Sequence, residues 1–142
     1  MNLTKDETVA IITLTNGENR QNLVFSKTLN AMLDEIIADK TITALIITSD
    51  DAKNFSQGID VTWIMGQLEK NDHQPVNDFI NEMDNVFKKL LLYPVPVIAA
   101  INGHAFGNGS ILTCACEFRF MRSDKGFLCF PEVNISIPFR WC

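Results

Sequence analysis

The stretch 103-GHAFGNGSIL-112 carries three glycines, Gly103, Gly107 and Gly109, within seven residues. Glycine at that density lets a backbone come close to something, because no Cβ stands in the way. A phosphate, a metal ion and a carbonyl oxygen are the candidates. The stretch follows 95-VPVIAAIN-102, a short apolar run that suits a buried strand, and it runs into a segment predicted to be helical. The glycines therefore lie where a strand hands over to a helix, which is where α/β folds hold their ligands.

Working outward, a second glycine loop, 55-FSQGID-60, follows another short apolar run, 44-ALIITS-49, which reads as a strand buried on both sides. It also precedes a predicted helix, 61-VTWIMGQL-68. Two longer helices show in the spacing of apolar residues. Leu29, Met32, Leu33, Ile36 and Ile37 share one face after Ser26, a candidate N-cap. Val76, Phe79, Ile80, Met83, Val86, Phe87, Leu90 and Leu91 form the strongest amphipathic pattern, closed by Pro94. Residues 8-TVAIITLTN-16 read as a strand and turn, and 118-FRFMRS-123 and 126-GFLCF-130 as strands joined by Asp124 and Lys125. Strands and helices alternate, so the fold class is α/β. No repeat and no low-complexity tract shows in the letters.

The 142 residues are read as one domain, 1–142, with 46% apolar and 20% charged residues. The net charge of −5, with no cluster of lysine or arginine, argues against nucleic-acid and anionic-membrane partners. The longest apolar segment is about eight residues, against roughly 20 for a membrane span. The start, 1-MNLTKDETVA-10, has early acids and no apolar h-region, and a cytoplasmic protein is expected. Cys114, Cys116, Cys129 and Cys142 read as buried reduced thiols. The Cys114-x-Cys116 gap is too short for a usual zinc pair, so no metal is expected.

Two phosphate fingerprints fail on these loops. A dinucleotide G-x-G-x-x-G starting at Gly107 needs glycine where Leu112 stands, and a P-loop starting at Gly103 needs glycine and lysine where Asn108 and Gly109 stand. Two readings remain from spacing alone. The loops could each aim one backbone N–H at a shared oxygen, an oxyanion hole. Equally, the glycines could be ordinary loop and helix-start residues. His104 reads as a packed loop histidine.

The segments 55-FSQGID-60, 97-VIAAINGHAFGNGSILTCACEFRF-120 and 131-PEV-133 resemble, in order and spacing, the enoyl-CoA hydratase/isomerase (crotonase) superfamily. The family patterns are F-S-x-G-x-D, then P-V-I-A-A-(I/V)-N-G-x-A-x-G-G-G, then P-E-V. The segment 20-RQNLVFSKTL-29 also looks like the family's early R-x-N-A segment. The resemblance runs over most of the chain.

It implies a crotonase-like spiral of ββα units and an acyl-CoA thioester as small-molecule substrate. Coenzyme A is then part of the substrate, with no separate cofactor. Carried over position by position, the oxyanion-hole N–H groups belong to Ile59 and Asn108. Asn108 stands where the family has glycine, which implies unusual backbone dihedrals there. The same loops imply substrate contacts at Gln57, Gly58, Asp60, Gly107 and Gly109, with Arg20 meeting the nucleotide end. Hydratases of the family use two glutamates; here the first position is Ile111 and the second is Glu132. A carboxylate set among Phe130, Pro131 and Val133 is partly desolvated, which suits proton transfer near neutrality.

One carboxylate suffices to move a double bond, whereas adding water calls for two groups. The resemblance therefore implies a Δ3,Δ2-enoyl-CoA isomerase of fatty acid metabolism, with Glu132 as single acid/base. A hydratase is one alternative. Glu117 is taken as structural, and Trp63 and Met65 as lining the acyl pocket or filling the core. Family members are about twice as long, and their C-terminal helices close the pocket and build trimers or hexamers. A homo-oligomer is implied, and so is a truncation after 136-SIPFRWC-142 that leaves apolar surface exposed. The other alternative is a truncated, inactive homologue that binds acyl-CoA or acts as an interaction protein.

Overall fold

The computed structural model describes residues 1–135; the segment 136–142, with Trp141 and Cys142, lies outside them. In chain order the elements are β1 (Asn2–Asp6), β2 (Val9–Leu14), α1 (Leu23–Ala38), β3 (Ala44–Ser49), β4 (Asn54–Ser56), α2 (Val61–Glu69), α3 (Gln74–Leu91), β5 (Val97–Ile101), β6 (His104–Phe106), α4 (Asn108–Ala115), β7 (Phe118–Met121) and β8 (Leu128–Cys129). A 3-10 turn, Pro131–Ile135, follows. The strands form a five-stranded sheet, β1-β2-β3-β5-β7, and a three-stranded sheet, β4-β6-β8. The β1–β2 pair is antiparallel and the remaining pairs are parallel.

From β3 onward one unit recurs. A strand joins the large sheet, the next joins the small sheet, and a helix follows: β3-β4-α2, β5-β6-α4, then the strands β7-β8. This is the spiral of ββα units. Its repeat lies in where strands are placed and not in which residues form them, so the letters do not display it.

In the large sheet β2 and β3 bury every second residue, Ala10, Ile12 and Leu14, then Leu45, Ile47 and Ser49. That face meets Leu29, Leu33 and Ile36 of α1 and Phe79, Met83, Val86, Phe87 and Leu90 of α3 in one apolar cluster. Each such side chain contributes about 1.5–3 kcal/mol by leaving water. The expectation that β3 is buried on both sides needs correcting: Ile46 and Thr48 on its other face are only half-buried. Period two, not a continuous apolar run, is the burial pattern of this strand.

Other boundaries also differ from the sequence reading. Helix α1 starts three residues before Ser26, because Asn22 caps it by accepting from the Val24 and Phe25 N–H groups. Ser26 is buried inside the helix and donates to Leu23 O. The polar strand β1 escaped detection because it is an exposed edge with no alternation to read. The three-residue strands β4 and β6 are hidden inside the two glycine loops. Segments 118–123 and 126–130 are not partners: β7 pairs β5, while β8 pairs β6 in the other sheet.

Cys116 is buried, and burial pushes its thiol up to about 12, against the pull of Arg119. Cys114 is exposed and Cys129 half-buried, which corrects the expectation of uniformly buried thiols; all three are free. Trp63 meets Phe79 edge-on, with centroids 5.8 Å apart, whereas Met65 is exposed. At the far edge of the large sheet Phe118, Phe120 and Met121 stay exposed, as do Phe127, Leu128 and Val133 beyond it. Among the described residues no helix is long and apolar enough to cross a membrane.

Candidate active site

Strands β4 and β6 run parallel as neighbours, pairing Asn54 with His104 and Ser56 with Ala105. Both glycine loops therefore leave the same end of the small sheet side by side. Gly58 has φ +77°, and a methyl group there would stand 2.5 Å from Phe106 O and 3.1 Å from Asn108 N. A methyl at Gly109 would stand 2.5 Å from Ser56 O. What these glycines admit is the other loop: each lets one backbone lie against its neighbour.

The loop amides then follow from the pairing. Gln21 donates its N–H to Gly58 O and its own carbonyl accepts the Asp60 N–H, both at 2.8 Å, in a parallel bridge to Ile59. In a parallel bridge the middle residue turns its own N–H away, so the Ile59 amide faces away from Gln21. It has no hydrogen-bond partner among the described residues, and neither has the Asn108 amide at the start of α4. Asn108 keeps a negative φ, so the unusual dihedral expected there falls elsewhere. Gly107, the cap residue before it, takes φ +52°. Asn108 is already helical and needs no exception.

Glu132 reaches the same place through β8. Gly107 donates its N–H to Cys129 O at 2.9 Å, and the Ser110 hydroxyl donates to Ala105 O and lies 2.9 Å from Cys129 O. The turn beginning at Pro131 then lays the Glu132 carboxylate over Gly107. A methyl on Gly107 would stand 2.8 Å from Glu132 Oε1. Glu132 Oε2 is buried and has no hydrogen-bond partner among the described residues, a costly state for a carboxylate oxygen. Ile111 sits one turn into α4 and packs against the apolar core. Glu117 is exposed beyond the end of α4, its N–H given to Val97 O.

The other residues singled out in the loops are held by the protein itself. Gln57 Nε2 donates to Asn54 Oδ1 at 2.5 Å. Asp60 caps α2, accepting from the Trp63 N–H at 3.0 Å, and accepts from Asn22 Nδ2 at 3.4 Å. Arg20 is exposed and paired with Glu18 at 2.8 Å. His104 packs between the rings of Phe106 and Phe127, with centroids 5.1 and 5.6 Å away. Asp51, in the loop after β3, accepts the Lys53 and Asn54 N–H groups, which hold its carboxyl below the usual range.

The sequence reading missed a buried polar layer behind the loops. Asn108 Nδ2 donates to Gln21 Oε1, Gln21 Nε2 to Ser56 Oγ, and Ser56 Oγ to Asn19 O. Asn19 Nδ2 donates to Ser49 Oγ and Phe55 O. The available signal was that Asn108 stands where the resembled family has glycine; the structure buries that amide side chain, which then needs a partner. Among the described residues no group of three His, Cys, Asp or Glu is gathered as metal ligands would be.

Known proteins match both the chain and its fold. The enoyl-CoA hydratase/isomerase family pattern covers residues 4–137. The chain is 35% identical over 133 residues to an Arabidopsis thaliana protein named enoyl-CoA delta isomerase 2, peroxisomal, covering 89% of this chain and 54% of that one. It is 32% identical over 138 residues to the short-chain-enoyl-CoA hydratase of Clostridium acetobutylicum, covering 95% of this chain and 51% of that one. A solved enoyl-CoA hydratase structure from Geobacillus kaustophilus superposes with a TM-score of 0.83 at 30% identity, over 94% of this chain and 50% of that one. The chain thus spans about half the length of the curated relatives it matches. With its ββα spiral and a pattern match across nearly its whole length, the chain belongs to the enoyl-CoA hydratase/isomerase (crotonase) family.

Proposed function

We propose that the chain binds acyl-CoA thioesters and acts as a Δ3,Δ2-enoyl-CoA isomerase. One observation carries the reading. Two neighbouring loops leave the Ile59 and Asn108 N–H groups without a protein partner, beside a carboxylate whose Oε2 is buried and unpartnered. Removing a proton beside a thioester puts negative charge on the thioester oxygen. The two N–H groups donate to that oxygen, each worth about 2.7–4 kcal/mol in the barrier. Glu132 takes the proton from C2 and returns it to C4, so bond order shifts and the carboxylate is regenerated. Ile111 supplies no second acid, which disfavours hydration. Gln57, Gly58, Asp60, Gly107 and Gly109 shape the loops around the thioester, and Arg20 meets the nucleotide end.

The test is conversion of a 3-enoyl-CoA to the conjugated 2-enoyl-CoA, followed by ultraviolet absorbance. The chain should convert it and Glu132→Gln should not. Hydration of a 2-enoyl-CoA would instead overturn the argument from Ile111. A second reading is binding without turnover. Acyl-CoA binding with no rate would select it. A homo-oligomer belongs to the proposal, because Phe118 and Phe120 on the edge strand β7, and Phe127 and Val133 further along the chain, are exposed. Sizing chromatography should show a species larger than the monomer; a sharp monomer with a cooperative melt would oppose it.

A further inference from the structure

Gln21 is fully buried and holds both loops of the site at once. Its backbone grips the first loop through Gly58 O and the Asp60 N–H, each at 2.8 Å. Its side chain grips the second, where Oε1 accepts from Asn108 Nδ2 at 2.6 Å. Its remaining amide group is anchored too, since Nε2 donates to Ser56 Oγ at 3.2 Å. Ser56 Oγ also accepts the Gly58 N–H at 3.2 Å and donates to Asn19 O at 2.7 Å. Every polar atom of the Gln21 side chain is thus used, and each direction leads to a residue that builds the loops.

We infer that Gln21 is a positioning residue that sets the separation of the Ile59 and Asn108 N–H groups, clamping one loop by its backbone and the other by the Asn108 side chain. The inference rests on the proposed function. Its physical basis is the steep geometry of oxyanion stabilisation, where donors act only if already aimed at the oxygen. Asn108 opens α4, so a pull on its side chain moves the helix start and the amide with it. A glycine at 108 would offer no such handle. A role confined to satisfying a buried amide would affect stability and leave donor geometry alone.

The experiment binds acetoacetyl-CoA, whose enolate absorbs in the near ultraviolet, to the wild-type chain and to Gln21→Met, Asn108→Ala and the double variant. Wild type should raise the enolate band at neutral pH. Gln21→Met should lower the enolate fraction on the order of tenfold, less than the roughly 10²–10³-fold cost of losing one donor outright, because the donors are misaimed and not removed. Affinity for butyryl-CoA, which forms no such enolate, should hold. Asn108→Ala cuts the same hydrogen bond from the other end with a good helix former, so it serves if Gln21→Met does not fold. The double variant should lose no more than the larger single loss. A wild-type band that survives in both single variants, or losses that simply add, overturns this inference alone. No band in wild type removes the proposed function and this inference with it.

Discussion

The five-stranded sheet and the three-stranded sheet solve different problems with different forces. The large sheet buries Ala10, Ile12, Leu14, Leu45, Ile47, Val97, Ala99 and Ile101 against α1 and α3, almost wholly apolar. Its strands run four to six residues. The small sheet is built from strands of two or three residues and its surroundings bury Asn19, Gln21, Asn54, Ser56, Asn108 and Ser110. Apolar burial is non-directional and sums over area, so it makes a stable frame that tolerates exchange. Hydrogen bonds are directional and specify one arrangement, so they suit loops whose amides must be aimed. The frame holds; the small sheet fixes one arrangement of its loops.

Three substitutions probe that contrast. Glu132→Gln should have the largest effect, lowering isomerisation by about 10²–10⁴-fold while the melting temperature stays near wild type. A parallel drop in melting temperature would mean that the carboxylate supports the fold as well. Leu33→Ala, in the frame, should destabilise by roughly 2–5 kcal/mol through a cavity in the core, with turnover per folded molecule unchanged. If turnover falls with it, the frame and the site layer are not separable. Gly58→Ala should cost about 1–3 kcal/mol, because φ +77° and the nearby Phe106 O both oppose a side chain. Here activity should fall further than stability accounts for, since the displaced backbone carries the Ile59 amide. Chemical denaturation paired with the absorbance assay separates the two quantities in each case.

The frame was largely legible in the letters. The spacing of Phe79, Met83, Val86, Phe87 and Leu90 marks the α3 face, and 44-ALIITS-49 coincides with β3. The exposed polar strand β1 was not, because Asn2–Asp6 has no alternating pattern and is drawn into the sheet by pairing with β2. Nor were β4 and β6, whose three residues each are too few for periodicity to register. In the site, Gly58, Gly107 and Glu132 stood out as motif residues. Gln21 and Asn19 did not, since nothing about an isolated Gln or Asn announces a partner 87 or 30 positions away. Asn22, not Ser26, caps α1 because the cap is decided by which side chain meets the first free N–H groups.

By itself the sequence determined the alternation of strands and helices, the two glycine loops and a single glutamate, Glu132, just after the last strand. These are local properties: periodicity, residue size and titratable groups travel with the chain. Only the tertiary structure decided that β4 and β6 are neighbours, that the left-handed turn falls on Gly107 and spares Asn108, and that Gln21 joins both loops. Those are relations between distant residues, set when the frame closes and each buried polar group must find its partner.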